Sequence, residues 1–207
     1  TGDWSSDVCS SDLLFKKTLA VFALSLTLAH GATSTTSTGL LSYVTPAEAT
    51  GQVKKIYDEI QSTWGFVPTL MQQYSLNPAL LENQWELYKE MGKNPNFSQK
   101  LLAMMRLLVA EKNECNYCIS MNKGMLLNMF KMSMDEIKLL QKDPNTASLP
   151  NKDKAMLLLM VKSANHPHAV SATDMDKLHD LGWSDKDIFE GIKASTSMVA
   201  ATLMLDR

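Results

Sequence analysis

Cys115 and Cys118 lie three residues apart in the segment Glu-Cys-Asn-Tyr-Cys. At the start of a helix, this spacing brings two sulfurs together across one turn, and the unpaired main-chain N–H groups there stabilise a thiolate. Such a pair can cycle between a dithiol and a disulfide. The sequence therefore predicts a redox-active Cys-x-x-Cys pair, and a structural disulfide is the alternative.

Asn122 follows Cys115 and Cys118 at the spacing i, i+3, i+7, which places all three side chains on one stripe of a helix. Reduction of a hydroperoxide needs a thiolate and also an acid that protonates the departing alkoxide. Asn122 can donate a hydrogen bond, but its amide does not titrate. Glu111 and Glu114 are the carboxylates nearest to the pair in sequence, and either is a candidate for that acid.

The elements that must hold these residues are predicted to be helices, because alternating strand patterns are nearly absent and helix-start signals recur. Thr45-Pro46-Ala47-Glu48 and Ser133-Met134-Asp135-Glu136 are two such capping patterns. The fold class is therefore all-α, with one multi-helix domain over residues 45–207. The predicted helices cover residues 46–62, 78–92, 98–112, 115–131, 134–142, 151–164, 172–181 and 185–203.

The chain contains 14 Met, and two series of them recur at helical spacing. Met121, Met125 and Met129 form one such series, and Met156 and Met160 form another. Since Met fills irregular cores, these residues are predicted to be core residues rather than metal ligands.

The first 44 residues are predicted to lie outside this domain. Residues 3–13 repeat Ser-Ser-Asp and resemble a translated sequencing adaptor, with an ordinary unstructured leader as the alternative. Residues 14–32 have a basic start, a short apolar run and small residues at the end, which is the pattern of a signal peptide. An uncleaved anchor is the alternative, and residues 33–44 are a predicted linker. The protein is therefore expected to be exported to the periplasm or the extracellular space, where thiols oxidise readily.

Composition excludes several other functions. The formal net charge is −2, with 20 basic and 22 acidic residues, so no nucleic-acid partner is predicted. The apolar run of the leader is too short for a stable membrane span. No Gly-rich phosphate loop occurs, and His166 and His168 lack metal-finger spacing relative to the cysteines, so neither a cofactor nor a metal site is predicted.

From about Tyr43 to Arg207, the chain resembles the carboxymuconolactone decarboxylase-like superfamily on its alkylhydroperoxidase D-like branch. The resemblance rests on the segment around Glu114-Cys115, on Gly-Phe-Val-Pro at 65–68 and on Leu-Gly-Trp-Ser-Asp at 181–185. It implies an all-α fold, a homo-oligomer (trimer, dimer or hexamer) and an antioxidant enzyme of the peroxidase-related class. It also implies a hydroperoxide or protein thiol substrate and an external dithiol reductant. Relatives run on past Arg207, so a truncated final helix is also expected.

By this resemblance Cys118 attacks the peroxide, and Cys115 resolves the intermediate and exchanges with the reductant. The chain departs from the family pattern at two positions that carry its proton relay. Asn122 stands where the active members have His, and Ala103 stands where they have Glu. The leading prediction is thus a CxxC thiol–disulfide redox protein that reduces hydroperoxides. The alternative is a non-catalytic relative in which Cys115 and Cys118 form a structural disulfide.

Overall fold

The computed structural model of the protein describes residues 41–205. The predicted adaptor segment, the signal peptide and most of the linker therefore lie outside the described residues. The described chain divides into two compact units, residues 41–93 and residues 94–205.

Nine α-helices and no strand occur between residues 41 and 205, which confirms the all-α prediction. The first unit contains α1 (Gly51–Trp64), α2 (Thr69–Gln73) and α3 (Pro78–Met91). The second unit contains α4 (Gln99–Lys112), α5 (Asn116–Asn128), α6 (Met134–Lys142), α7 (Asn151–Asn165), α8 (Ala172–Asp180) and α9 (Asp185–Leu205). Apart from α2, each helix matches a predicted one, although the start of α1 is displaced.

The predicted start of the first helix at Pro46 is wrong. The Thr45 N–H does donate to the Glu48 carboxylate at 3.3 Å, as a capping box requires, but the segment makes only one turn. Gly51, the first residue of α1, then takes a φ of +55°, a left-handed conformation that separates this turn from the regular part of the helix. Thr50 becomes the N-cap of α1. A helix-start pattern was thus satisfied locally without being followed by a helix.

Helix α4 forms the centre of the second unit and packs against α5, α7 and α9. Its buried residues are Leu101, Ala103, Met104, Met105, Leu107, Leu108, Val109 and Ala110. Helices α7 and α9 approach each other closely at Gly191, where an added Cβ would lie 2.8 Å from Sδ of Met156. Helix α5, which carries the cysteine pair, therefore packs against a buried central helix.

The methionine prediction is confirmed for one series and wrong for the other. Met156 and Met160 are fully buried. On α5, however, Met121 and Met125 are only partly buried and Met129 is exposed. The buried residues of α5 are instead Cys118, Asn122 and Leu126, on a helix that packs against α4.

Helix α9 is the one helix within residues 41–205 that is long and apolar enough to cross a membrane by length and composition. Eight of its residues are buried in the second unit, and Asp187 is among them. Packing within the second unit accounts for part of the apolar character of α9, while Phe189 and Leu203 remain exposed.

The capping box predicted from sequence at Ser133 is present with Glu136 as its acidic partner, and a second capping box joins Ser171 to Asp174. At the start of α8, the Lys162 ammonium lies 2.9 and 2.7 Å from the two carboxylate oxygens of Asp174. This ammonium, together with the Ser171 N–H and hydroxyl, lowers the pKa of Asp174 to about 2. The cap therefore carries an acid-sensitive contribution to stability.

We expect Asp174→Asn to weaken the dependence of thermal stability on pH below about pH 4. The folded-state pKa of Asp174 lies below its unfolded value of about 3.9, so its contribution is complete above about pH 4 and is lost as the pH falls toward 2. With solvent screening taken into account, the variant should melt about 3 °C lower than the wild type at pH 6, and the gap should close near pH 2. Thermal melts across this range measure the effect, with Asp176→Asn on the same helix as the control. A difference in melting temperature that is the same at all pH values would contradict this role of the Asp174 carboxylate.

Candidate functional site

The connection between α4 and α5 places the first cysteine. Glu114 has a φ of +57°, a left-handed conformation, directly after the last turn of α4. The Cys115 N–H donates to the Ala110 carbonyl and the Glu114 N–H donates to the Glu111 carbonyl, both at 3.1 Å. These two bonds form a Schellman motif, the usual way for a helix to end at a left-handed residue. Glu114 thus acts through its main chain, which turns the backbone so that Cys115 can begin α5.

Glu114→Gly is expected to raise the free energy of unfolding by about 1 kcal/mol, because glycine takes the left-handed conformation without steric cost. Urea denaturation of the two proteins measures the difference. Lys112→Gly provides the control, since it places glycine in the last regular turn of α4 and should destabilise the protein. A Glu114→Gly protein that is no more stable than the wild type would contradict the strained-turn account.

Cys115 is the N-cap of α5, and its Sγ accepts a hydrogen bond from the Cys118 N–H at 3.4 Å. The two cysteines are joined in a disulfide across the first turn, with their Cα atoms 5.3 Å apart. Both are buried, Cys115 with 0% and Cys118 with 2% of its surface exposed. The predicted position of the pair at a helix start is therefore confirmed, and the oxidised pair is closed to solvent.

Asn122 is fully buried one turn beyond Cys118, on the same side of α5 as both cysteines. Its Nδ2 donates to the Cys118 carbonyl at 2.8 Å, and its Oδ1 accepts from Nε of Arg106 at 3.0 Å. The amide is thus engaged at both ends. Asn122 connects the turn that carries Cys118 to α4, and it offers the thiol no group that can take up a proton.

Arg106 was not predicted as a site residue. It lies on α4, is partly buried and reaches the stripe of α5 that carries the cysteines. A signal was available in the sequence, because this is a single charged residue inside the apolar run Leu-Leu-Ala-Met-Met-Arg-Leu-Leu-Val-Ala. Such a charge is retained in a helix interior only where a polar partner meets it.

The other candidate acids occupy different positions. Ala103 is fully buried in α4 and has no group that could relay a proton. Glu114 is exposed to solvent. Glu111 is partly buried, its carboxylate lies 3.9 Å from the Lys123 ammonium, and it accepts a hydrogen bond from Gln141 on α6. Burial raises the pKa of Glu111, and the charge of Lys123 opposes that rise.

His166 and His168 lie at the end of α7 and in the short 3-10 turn that follows, and both are exposed. The two cysteines are buried on α5 and its N-cap. The structure thus places the histidines on the surface and does not gather them with the cysteines into one buried cluster.

The arrangement of helices defines an all-α fold in which a CxxC pair opens a helix packed on a buried central one. No family model matches the chain, and no curated protein matches it by sequence. Solved structures do share the fold. An uncharacterized peroxidase-related protein from Ralstonia eutropha JMP134, described as an alkylhydroperoxidase AhpD core, superposes with a TM-score of 0.67 at 18% identity. That match covers 80% of this chain and 87% of the other.

A second uncharacterized peroxidase-related protein, from Silicibacter sp. TM1040, superposes with a TM-score of 0.68 at 19% identity. This match covers 85% of this chain and 92% of the other. The chain therefore has the AhpD-like, carboxymuconolactone decarboxylase-like fold that the sequence resemblance implied.

Proposed function

We propose that the protein is a thiol–disulfide oxidoreductase whose Cys115–Cys118 pair cycles between dithiol and disulfide. The observation that carries the proposal is the disulfide across the first turn of α5, with Cys115 as the helix N-cap. A helix N-terminus stabilises a thiolate, which is the reactive form of cysteine. The fold supports the proposal because its solved neighbours are described as peroxidase-related.

The proposed oxidant is a hydroperoxide or a disulfide. With a hydroperoxide, two thiols give up two electrons and two protons, the O–O bond breaks, and the products are an alcohol, water and the Cys115–Cys118 disulfide. An external dithiol then reduces the disulfide. Because position 122 holds Asn and position 103 holds Ala, neither side chain can supply the proton for the departing alkoxide, and the proposal takes this proton from solvent.

A structural disulfide is the second candidate, and the burial of both sulfurs favours it. A buried disulfide exchanges with an external thiol only when the surrounding structure opens locally. Here the opening would involve the connection between α4 and α5, where Glu114 and Asn116 are already exposed. Burial thus limits the rate of exchange without preventing it.

The proposal includes export and self-association. The segment 14–32 supports export to the periplasm or the extracellular space, where the pair would be oxidised between reactions. Phe189 and Leu203 on α9 are 68% and 50% exposed, and such apolar surface supports association into a homo-oligomer.

Turnover with an external dithiol tests the function. Wild-type protein should accelerate the reduction of cumene hydroperoxide, hydrogen peroxide or a small disulfide such as oxidised glutathione. The Cys115→Ala/Cys118→Ala variant should fall to the uncatalysed rate, and Ser120→Ala, an exposed change on the same helix, should match the wild type. Equal rates for the wild type and the double variant would overturn the proposal. Turnover of the disulfide alone would exclude hydroperoxides as the oxidant.

A further inference from the structure

The two sulfurs of the pair have different surroundings. Sγ of Cys115 caps α5 and faces its unpaired N–H groups, one of which, that of Cys118, donates to it. Cys118 is the third residue of α5. Its main chain is engaged on both sides, because its N–H donates to Cys115 and its carbonyl accepts from Asn122. The helix end is therefore directed at the first sulfur of the pair.

We infer that Cys115 is the attacking thiol of the reduced pair and that Cys118 is the thiol that closes the disulfide. This assignment rests on the proposed function, and it reverses the roles that the family resemblance implies. The N–H that contacts Cys115 belongs to the main chain, so it remains in place when the disulfide is reduced. A negative charge on the sulfur makes this hydrogen bond charge-assisted and therefore stronger, which favours the thiolate of Cys115.

The surroundings of Cys118 do not provide comparable activation. Asn122 is the buried polar side chain one turn along, and its amide is already engaged by Arg106 and by the Cys118 carbonyl. An amide takes up no proton near neutral pH, so it cannot act as a base for Cys118. The contacts of Asn122 hold Cys118 in position against α4.

The charged groups on the elements around α5 do not make the thiolate of Cys118 more stable than that of Cys115. Arg106 is held at Asn122, in the second turn of α5, and its charge favours either thiolate. Glu111 of α4 is offset by Lys123 of α5 at 3.9 Å. On α6, Glu136 is engaged by the Ser133 cap, Asp135 faces Lys138, and Lys142 lies in the last turn. Glu114 opposes a charge on Cys115, but it is exposed, so water and salt screen it.

The reaction with a substrate disulfide balances in two steps. The Cys115 thiolate attacks one substrate sulfur, the substrate S–S bond breaks, and the departing thiolate takes a proton from solvent. Cys118 then loses its proton to solvent and attacks Sγ of Cys115, which breaks the mixed disulfide and releases the second substrate thiolate. The substrate gains two electrons and the protein pair loses two.

Single-cysteine proteins test the assignment. In a full-length Cys9→Ala background, Cys118→Ala leaves only Cys115, and Cys115→Ser leaves only Cys118 while keeping a capping side chain. Thiolate absorbance in the ultraviolet is followed against pH, because it does not depend on access to a reagent. The midpoint for Cys115 should lie about one pH unit below that for Cys118. Trapping of the glutathione mixed disulfide near neutral pH should be about tenfold faster on Cys115.

An equal or lower midpoint for Cys118 would overturn the assignment, and helical circular dichroism identifies any variant that fails to fold. Should Cys115→Ser unfold, Cys115→Asn offers a second capping side chain for the same measurement. Failure of the assignment is distinguishable from failure of the proposed function, since the midpoints come from single-cysteine proteins and the function is judged on turnover by the intact pair.

Discussion

Leucine in place of Asn122 is expected to lower the free energy of unfolding by about 3 kcal/mol. Asn122 is fully buried and joins Arg106 to the Cys118 carbonyl with bonds of 3.0 and 2.8 Å. Leucine has the same branching pattern but a larger volume, so it crowds a fully buried position, and it also removes the acceptor of the charge-assisted hydrogen bond from Arg106 Nε. Urea denaturation monitored by circular dichroism measures it. Asn128→Leu, an exposed change on the same helix, should alter stability by no more than about 0.5 kcal/mol.

A double-mutant cycle with Arg106→Met shows whether that loss comes from the pair itself. Methionine keeps most of the apolar stem of Arg106 but removes its charge, so the double variant should recover at least about 1 kcal/mol relative to the sum of the single changes. Additive losses would mean that Arg106 and Asn122 do not act together, and the proposed anchoring of Cys118 would then be wrong.

Alanine in place of Trp85 is expected to destabilise the first unit by about 4 kcal/mol. Trp85 lies on α3 with 1% of its surface exposed, and its ring meets the Trp64 ring edge-on at a centroid distance of 5.0 Å. Its Nε1 also donates to the Glu59 carboxylate at 3.0 Å. Removing the ring creates a large cavity and takes away an aromatic pair and a hydrogen bond together.

Two controls separate the parts of the Trp85 effect. Trp85→Phe keeps a ring but removes the indole N–H, so it should cost about 2 kcal/mol. Leu80→Ala on the same helix removes a side chain that is 52% exposed and should cost less than about 1 kcal/mol. A Trp85→Ala protein within 1 kcal/mol of the wild type would show that the aromatic cluster does not form the core of this unit.

The polar cluster at the start of α9 shows which contacts of a helix cap can be predicted from sequence and which cannot. Burial raises the pKa of Asp187, but hydrogen bonds from Ser184, Asn96 and Asn94 outweigh burial and lower it well below its usual range. The Ser184–Asp187 spacing was visible in the sequence because a cap is a local interaction between residues three apart. The contacts from Asn94 and Asn96 join residues far apart in the chain, so spacing alone could not predict them.

The same distinction applies to the site. The position of Cys115 and Cys118 at a helix start and the shared stripe with Asn122 follow from helical periodicity, and both are confirmed. Periodicity also predicted a buried methionine series on α5. That prediction failed, because the face a helix buries is chosen by its neighbours, here α4. The role of Arg106 likewise depends on how two helices meet.

Glu114 shows a further limit of the sequence. Its proximity to the cysteines made it a candidate acid, whereas the structure gives it a left-handed main chain and an exposed side chain. Sequence spacing reports which side chains lie close along the chain. It does not report whether a residue acts through its side chain or through its φ angle, unless the residue is glycine.

The reduction potential of the Cys115–Cys118 pair tests the central claim most directly. The protein is equilibrated in a series of glutathione redox buffers, and the disulfide fraction is measured by mass spectrometry after alkylation. A redox-active pair should have a potential well above about −300 mV, within the range of thiol–disulfide exchange proteins. A potential below that value would identify the pair as a structural disulfide and would contradict the proposed function.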